Sequence, residues 1–72
     1  MSVCIDSYEG NGNYCELSIE RAYNKNFYRI HICKVFNTYV SYPFKSITYS
    51  INDEKKAKAT FKRYVKKYCI GE

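Results

Sequence analysis

His31 is the chain's single histidine, and it stands two residues before Cys33. In an alternating strand that spacing puts an imidazole and a thiol on one face. A nucleophilic pair also needs a third group that orients the base, and no serine–histidine–carboxylate or cysteine–histidine arrangement is legible. His31 therefore reads as a strand residue facing away from the core. Glu16 and Glu20 also share a face, with Ser18 between them. Two carboxylates divide acid and base work only where a cleft drives their pKa values apart. An open sheet face offers no such cleft, so this pair reads as a solubilising surface that reaches across to Arg29.

The four cysteines are Cys4, Cys15, Cys33 and Cys69. There is no C-x-x-C pair and no second histidine, so a structural zinc site lacks its ligands. The opening "MSVCIDSYEG" has no basic start and carries Asp6 inside its apolar run, unlike a secretory leader. No apolar run approaches the roughly 20 residues of a membrane span. A cytoplasmic protein with four free thiols is expected, Cys69 being the most exposed and reactive. The "EGNGN" stretch is a turn signal rather than a phosphate loop, because no helix follows it. No catalytic residue, metal or cofactor is implied, and the chain does not read as an enzyme.

Charge is the more informative feature. Residues 1–52 carry five basic and four acidic side chains, whereas residues 53–72 carry seven and three, so most of the net +5 belongs to the C-terminal segment. There Lys55, Lys58, Lys62, Arg63, Lys66 and Lys67 fall opposite an apolar stripe. A one-sided basic element is the footprint of a polyanionic or acidic partner, and also a common way to keep a tyrosine-rich domain soluble. The nine tyrosines include Tyr14, Tyr39 and Tyr42, the ones placed to be exposed as aromatic contacts.

The 72 residues suffice for one domain, 1–72, and 46% apolar content is enough to close a core. Val3–Tyr8 is a short β-rich run. Tyr14–Tyr23 alternates with Cys15, Leu17 and Ile19 on one face, as a half-buried antiparallel strand does. In the hairpin between them, a two-residue Asn11–Gly12 turn sets Asp6 opposite Leu17. One added loop residue sets Ile5 opposite Ile19 and turns Asp6 to solvent, which favours the longer loop with Gly12 left-handed. A second turn is expected at Asn24–Asn26, then a strand from Phe27 to Phe36 that ends or bulges near Lys34. A third turn follows at "FNTY". A segment from Tyr39 to Ile51 is then placed at an edge, or broken, by Pro43. Asn52 suits an N-cap. Ala57, Phe61, Tyr64, Val65 and Tyr68 form the helix stripe, and Gly71 can stop it. The expected fold is α+β: a small antiparallel meander of three to four strands, with one amphipathic C-terminal helix packed on one face.

Tyr49, Ser50, Asp53, Glu54, Ala57, Phe61, Tyr64, Val65, Lys66, Lys67 and Tyr68 together carry a resemblance. This strand–cap–helix run resembles the small meander-plus-helix proteins encoded by phages and mobile elements of low-GC bacteria, including some anti-CRISPR and other anti-defence inhibitors. It covers less than a third of the chain and brings no functional residue with it. It implies stoichiometric docking onto a host protein or nucleoprotein complex, in the host cytosol and without a membrane. The alternative is direct DNA or RNA binding through the basic helix face. A homodimer through an edge strand is a third arrangement open to a four-stranded sheet.

Overall fold

The computed structural model describes residues 2–36 and 41–71. Four antiparallel strands follow one another across a single sheet in chain order: β1 Ser2–Gly10, β2 Asn13–Ala22, β3 Lys25–Val35 and β4 Ser41–Ser50. An α-helix, α1 Glu54–Tyr64, runs straight into a π-helical turn, Val65–Ile70. The architecture is the α+β meander with one C-terminal helix that the strand alternation and the helical stripe imply.

The core lies between the helix and the two central strands. Cys15, Leu17, Tyr28, Ile30 and Ile32 from the sheet are buried against Ala57, Phe61, Val65 and Cys69 from the helical segment. Pairing sets these side chains in rows: Leu17 faces Ile30, which faces Ile47, and Ile19 faces Tyr28, which faces Tyr49. Thr60 is buried in the helix stripe, and its hydroxyl shares a 2.8 Å hydrogen bond with the Tyr49 hydroxyl. That bond satisfies two polar groups that would otherwise be costly under the helix.

Register departs from the sequence expectation at both hairpins. Gly10 pairs with Asn13, so the first turn has two residues, Asn11 and Gly12, both at positive φ (53° and 75°). This is the left-handed pair that a right-twisted hairpin favours. Asp6 accordingly pairs with Leu17 on the helix side of the sheet while staying exposed, and Val3 pairs with Ile19. Ile5 is the bulged residue, between Cys4 and Asp6. The tight turn with the bulge is the arrangement adopted, so the register changes only for the residues before Ile5. The second turn falls at Tyr23–Asn24 rather than Asn24–Asn26, with Ala22 paired to Lys25. Tyr23 is left-handed at φ 53°, a conformation rare for a bulky side chain, which explains why the sequence pointed further along.

The irregularity expected near Lys34 lies between Ile32 and Cys33, and the extra residue belongs to the partner strand, where Phe44 is skipped between Pro43 and Lys45. Pro43 sits in an unbroken edge strand. The "FNTY" turn and Tyr39 involve residues outside those described. Asp53, not Asn52, is the N-cap, and it makes no side-chain cap bond.

At its C-terminus the helix widens. The Gly71 N–H donates to the Lys66 carbonyl five residues back, and Gly71 ends the element at φ 84°. The wider turn buries Cys69, against the expectation of an exposed thiol, and leaves Tyr64 and Tyr68 half-buried at the edge of the core. Among the described residues, no helix is long and apolar enough to cross a membrane.

Candidate functional site

The helix forms a ridge along the sheet, with β1 on one flank and β4 on the other. Of the six basic residues singled out on it, Lys62, Arg63, Lys66 and Lys67 converge: with Ala59 they line a single shallow concavity on the outward face. Lys58 is drawn away, its Nζ lying 2.9 Å from Glu54 Oε1 one turn back, and this contact raises its pKa. Lys55 is exposed in the first helical turn and does not line the concavity. The acidic first turn and the basic last turns thus sit at opposite ends of the ridge, as the helix dipole favours.

On the β1 flank the ridge leaves a recess of about 230 Å³. Tyr8, Phe61, Val65 and Ile70 supply its apolar wall, while Lys62 and Lys66 stand on one side and Asp6 and Ser7 on the other. β1 is exposed along almost its whole length, and among the described residues only β2 pairs with it. Its outer edge is therefore a row of backbone donors and acceptors beside an apolar recess. The sequence did not disclose this recess, because it depends on the two-residue Asn11–Gly12 turn, which sets Asp6 and Tyr8 opposite Leu17 and Cys15 on the helix side of the sheet.

The β4 flank is aromatic. Tyr64 and Tyr68 pack edge to face, and Phe44 meets Tyr68 in the same way at 5.7 Å between centroids. Lys45 Nζ lies 5.0 Å from the Tyr64 ring centre, Lys67 Nζ lies 5.3 Å from that of Tyr68, and Arg63 covers the Tyr64 ring at 5.8 Å. These are cation–π distances. Tyr42, one of the aromatic candidates, is exposed here. Tyr14 is not on this flank: it is half-buried on the opposite sheet face, and its hydroxyl donates to Glu16 Oε1 at 2.8 Å. Burial, followed by that hydrogen bond, raises its pKa.

That opposite face is a cross-strand polar ladder. Glu16 also lies 3.4 Å from His31 Nε2, and Arg29 Nε lies 3.0 Å from Glu20 Oε2. The Arg29 N–H does not point at a partner, so this contact is an ion pair without a directed hydrogen bond. The carboxylates on this face are engaged by neighbours on a flat surface, an arrangement that orients side chains and encloses no reacting atom. Among the described residues, no group of three or more histidine, cysteine or carboxylate side chains is placed to hold a metal ion.

The thiols occupy three environments. Cys4 is exposed and Cys33 half-buried, while Cys15 and Cys69 are buried. Burial pushes Cys15 up to about 12, with the neighbouring Cys69 and Cys33 adding to it. Burial raises Cys69 as well, partly offset by a backbone hydrogen bond from Gly10. The Cys69 sulfhydryl lies 3.7 Å from each of the carbonyls of Tyr8 and Asn13. It is a protonated packing group that ties the helix end to the first hairpin.

Comparison with protein-family models, with curated proteins and with solved structures finds no match to this chain.

Proposed function

We propose that the chain is a small non-enzymatic binding module that docks onto a partner protein or nucleoprotein complex, in the manner of the phage-type inhibitors its C-terminal run resembles. The recess on the β1 flank carries this reading. An apolar wall beside an unpaired strand edge accepts an extended segment of another protein, through backbone hydrogen bonds and a side-chain anchor. Lys62 and Lys66 on its rim favour a segment whose anchor is flanked by carboxylates. The compartment assigned is the cytoplasm, of the host if the chain is phage-encoded, where the four thiols stay reduced.

The test is recovery of partners from host lysate by the tagged full chain, with and without nuclease, beside two variants. Lys62→Glu with Lys66→Glu reverses the rim, and Ile70→Asp spoils the anchor site. The expected result is a partner retained after nuclease, lost with both variants and kept by a Lys55→Glu control. Recovery that disappears wholly on nuclease treatment overturns docking in favour of direct DNA or RNA binding through the helix. Self-association alone in sedimentation, abolished by a proline in β1, overturns it in favour of a homodimer through an edge strand.

A further inference from the structure

The β3–β4 end of the sheet leaves three large aromatic rings in solvent: Phe36 is 59% exposed, Tyr42 54% and Phe44 45%. Phe36 and Tyr42 already stack on each other, with ring centres 5.9 Å apart and planes 14° from parallel. The bulge explains the third ring. Skipping Phe44 in the β3 register brings it to the side of the sheet that carries Lys45, so both lean on Tyr68. A second recess, about 310 Å³, opens beside them between Asn13, Lys34, Tyr42 and Phe44, with no carboxylate among the described residues that line it. Three lysines, Lys34, Lys45 and Lys67, are thus interleaved with the rings rather than gathered at a rim.

We propose that this aromatic, basic flank is a binding site for single-stranded nucleic acid, separate from the recess on the β1 flank. Exposed ring faces take unstacked bases of any sequence, and cations between them take the backbone phosphates. A duplex keeps its bases stacked inside and offers these rings nothing, so single strands are preferred. The interleaving argues against a protein occupant, because protein interfaces deplete lysine and keep charge away from their centre. No base-edge contacts are built here, so the site tolerates any sequence. Together with a protein dock on the other flank, it suits a nucleoprotein partner that displays an exposed strand.

The experiment is fluorescence anisotropy of the full chain with labelled oligothymidine and oligouridine of about 12 nucleotides, and with a duplex of the same length. Both single strands are expected to bind at least about tenfold more tightly than the duplex, with tyrosine emission quenched as bases stack. Tyr42→Ala and Phe44→Ala are each expected to weaken binding roughly five- to hundredfold. Lys45→Ala is expected to flatten the log–log salt dependence by about 0.7. Phe36→Ala repeats the aromatic test at the most exposed of the three rings, should a β4 variant lose its fold by circular dichroism. Equal affinity for duplex and single strand, unmoved by the aromatic variants, would mean general polyanion attraction and overturns the site. So does absence of oligonucleotide binding, or loss of a nuclease-resistant protein partner in the Tyr42 and Phe44 variants, which would make this flank a protein interface.

Discussion

The carbonyl oxygen of Cys69 lies 2.5 Å from the position a β-carbon on Gly10 would occupy. The last turn of the helical segment therefore rests directly on the backbone of the first hairpin. Asn13 strengthens the contact by donating its side-chain amide to the Tyr68 carbonyl at 2.8 Å. Through these two points the β1 flank, with its recess, is held against the helix end.

Gly10→Ala is accordingly expected to destabilise the fold by about 1–3 kcal/mol, since backbone meets backbone and no side chain can swing aside. Gly12 supplies the contrast: open space surrounds it, but its φ is +75°. Asparagine tolerates that conformation, so Gly12→Asn should be close to neutral while Gly10→Asn is not. Urea denaturation of the three variants checks this. Equal stability of Gly10→Ala and the parent would mean that the hairpin and helix end are not in contact.

Phe61 joins Leu17 and Ile30 in the buried cluster and also walls the β1 recess. Removing its ring leaves a cavity under the centre of the helix. Phe61→Ala should cost about 3–5 kcal/mol, enough to unfold a domain of this size at ambient temperature. A loss under about 1 kcal/mol in chemical denaturation would show that the helix does not bury this face.

Alternation in Cys15–Ile19 and Tyr28–Ile32, and the Ala57–Phe61–Val65 stripe, made the meander and the helix legible, because burial selects side chains at the period of each element. The misses have local causes. The sequence favours the odd loop because it turns Asp6 to solvent; the bulge at Ile5 instead leaves Asp6 opposite Leu17 and changes the pairing only beyond it, setting Val3 opposite Ile19. Tyr23 in a left-handed turn runs against its own steric preference. Thr60 lay inside the apolar arc but was passed over as polar; its partner Tyr49 is distant in sequence and joins it only after packing. Cys69 became buried because the helix widens after Tyr64, which a fixed 100° period does not anticipate. For the site, the basic residues were visible, but their division into two flanks depends on how the helix lies between β1 and β4.

The buried thiols predict an alkaline weakness. Cys15 is shifted upward, to about 12, and Cys33 and Cys69 are shifted in the same direction. In the unfolded chain these thiols ionise near the ordinary value of 9.0. Their raised folded values mean that the native state holds more protons above that pH, so the associated stability is full below about 9 and falls as pH rises towards the folded values. Between pH 8 and 9.5, Cys15 alone should take away about 0.8 kcal/mol, and Cys33 and Cys69 should add to the loss in the same direction. Denaturant midpoints measured across this window check the slope, and Cys15→Ala should flatten it. A flat profile in the parent chain would mean that Cys15 is reached by water.

The two flanks should separate in one set of charge variants. Lys62 and Lys66 rim the recess beside β1, whereas Lys45 and Lys67 lie over Tyr64 and Tyr68 beside β4. All four act on the outside of the fold, so replacing them should leave the unfolding free energy within about 0.5 kcal/mol of the parent. Lys62→Glu with Lys66→Glu should slow association with a protein partner and reduce its salt dependence. It should affect single-strand affinity only through the lost net charge, equally for duplex and strand. Lys45→Ala with Lys67→Ala should do the reverse, lowering single-strand affinity and removing about 1.4 from the salt slope for the loss of two phosphate contacts. Partner capture and oligonucleotide anisotropy on the same preparations make the comparison direct. Identical losses from both pairs in both assays would mean that the ridge acts as one undivided basic surface, and would overturn the division into a protein flank and a nucleic-acid flank.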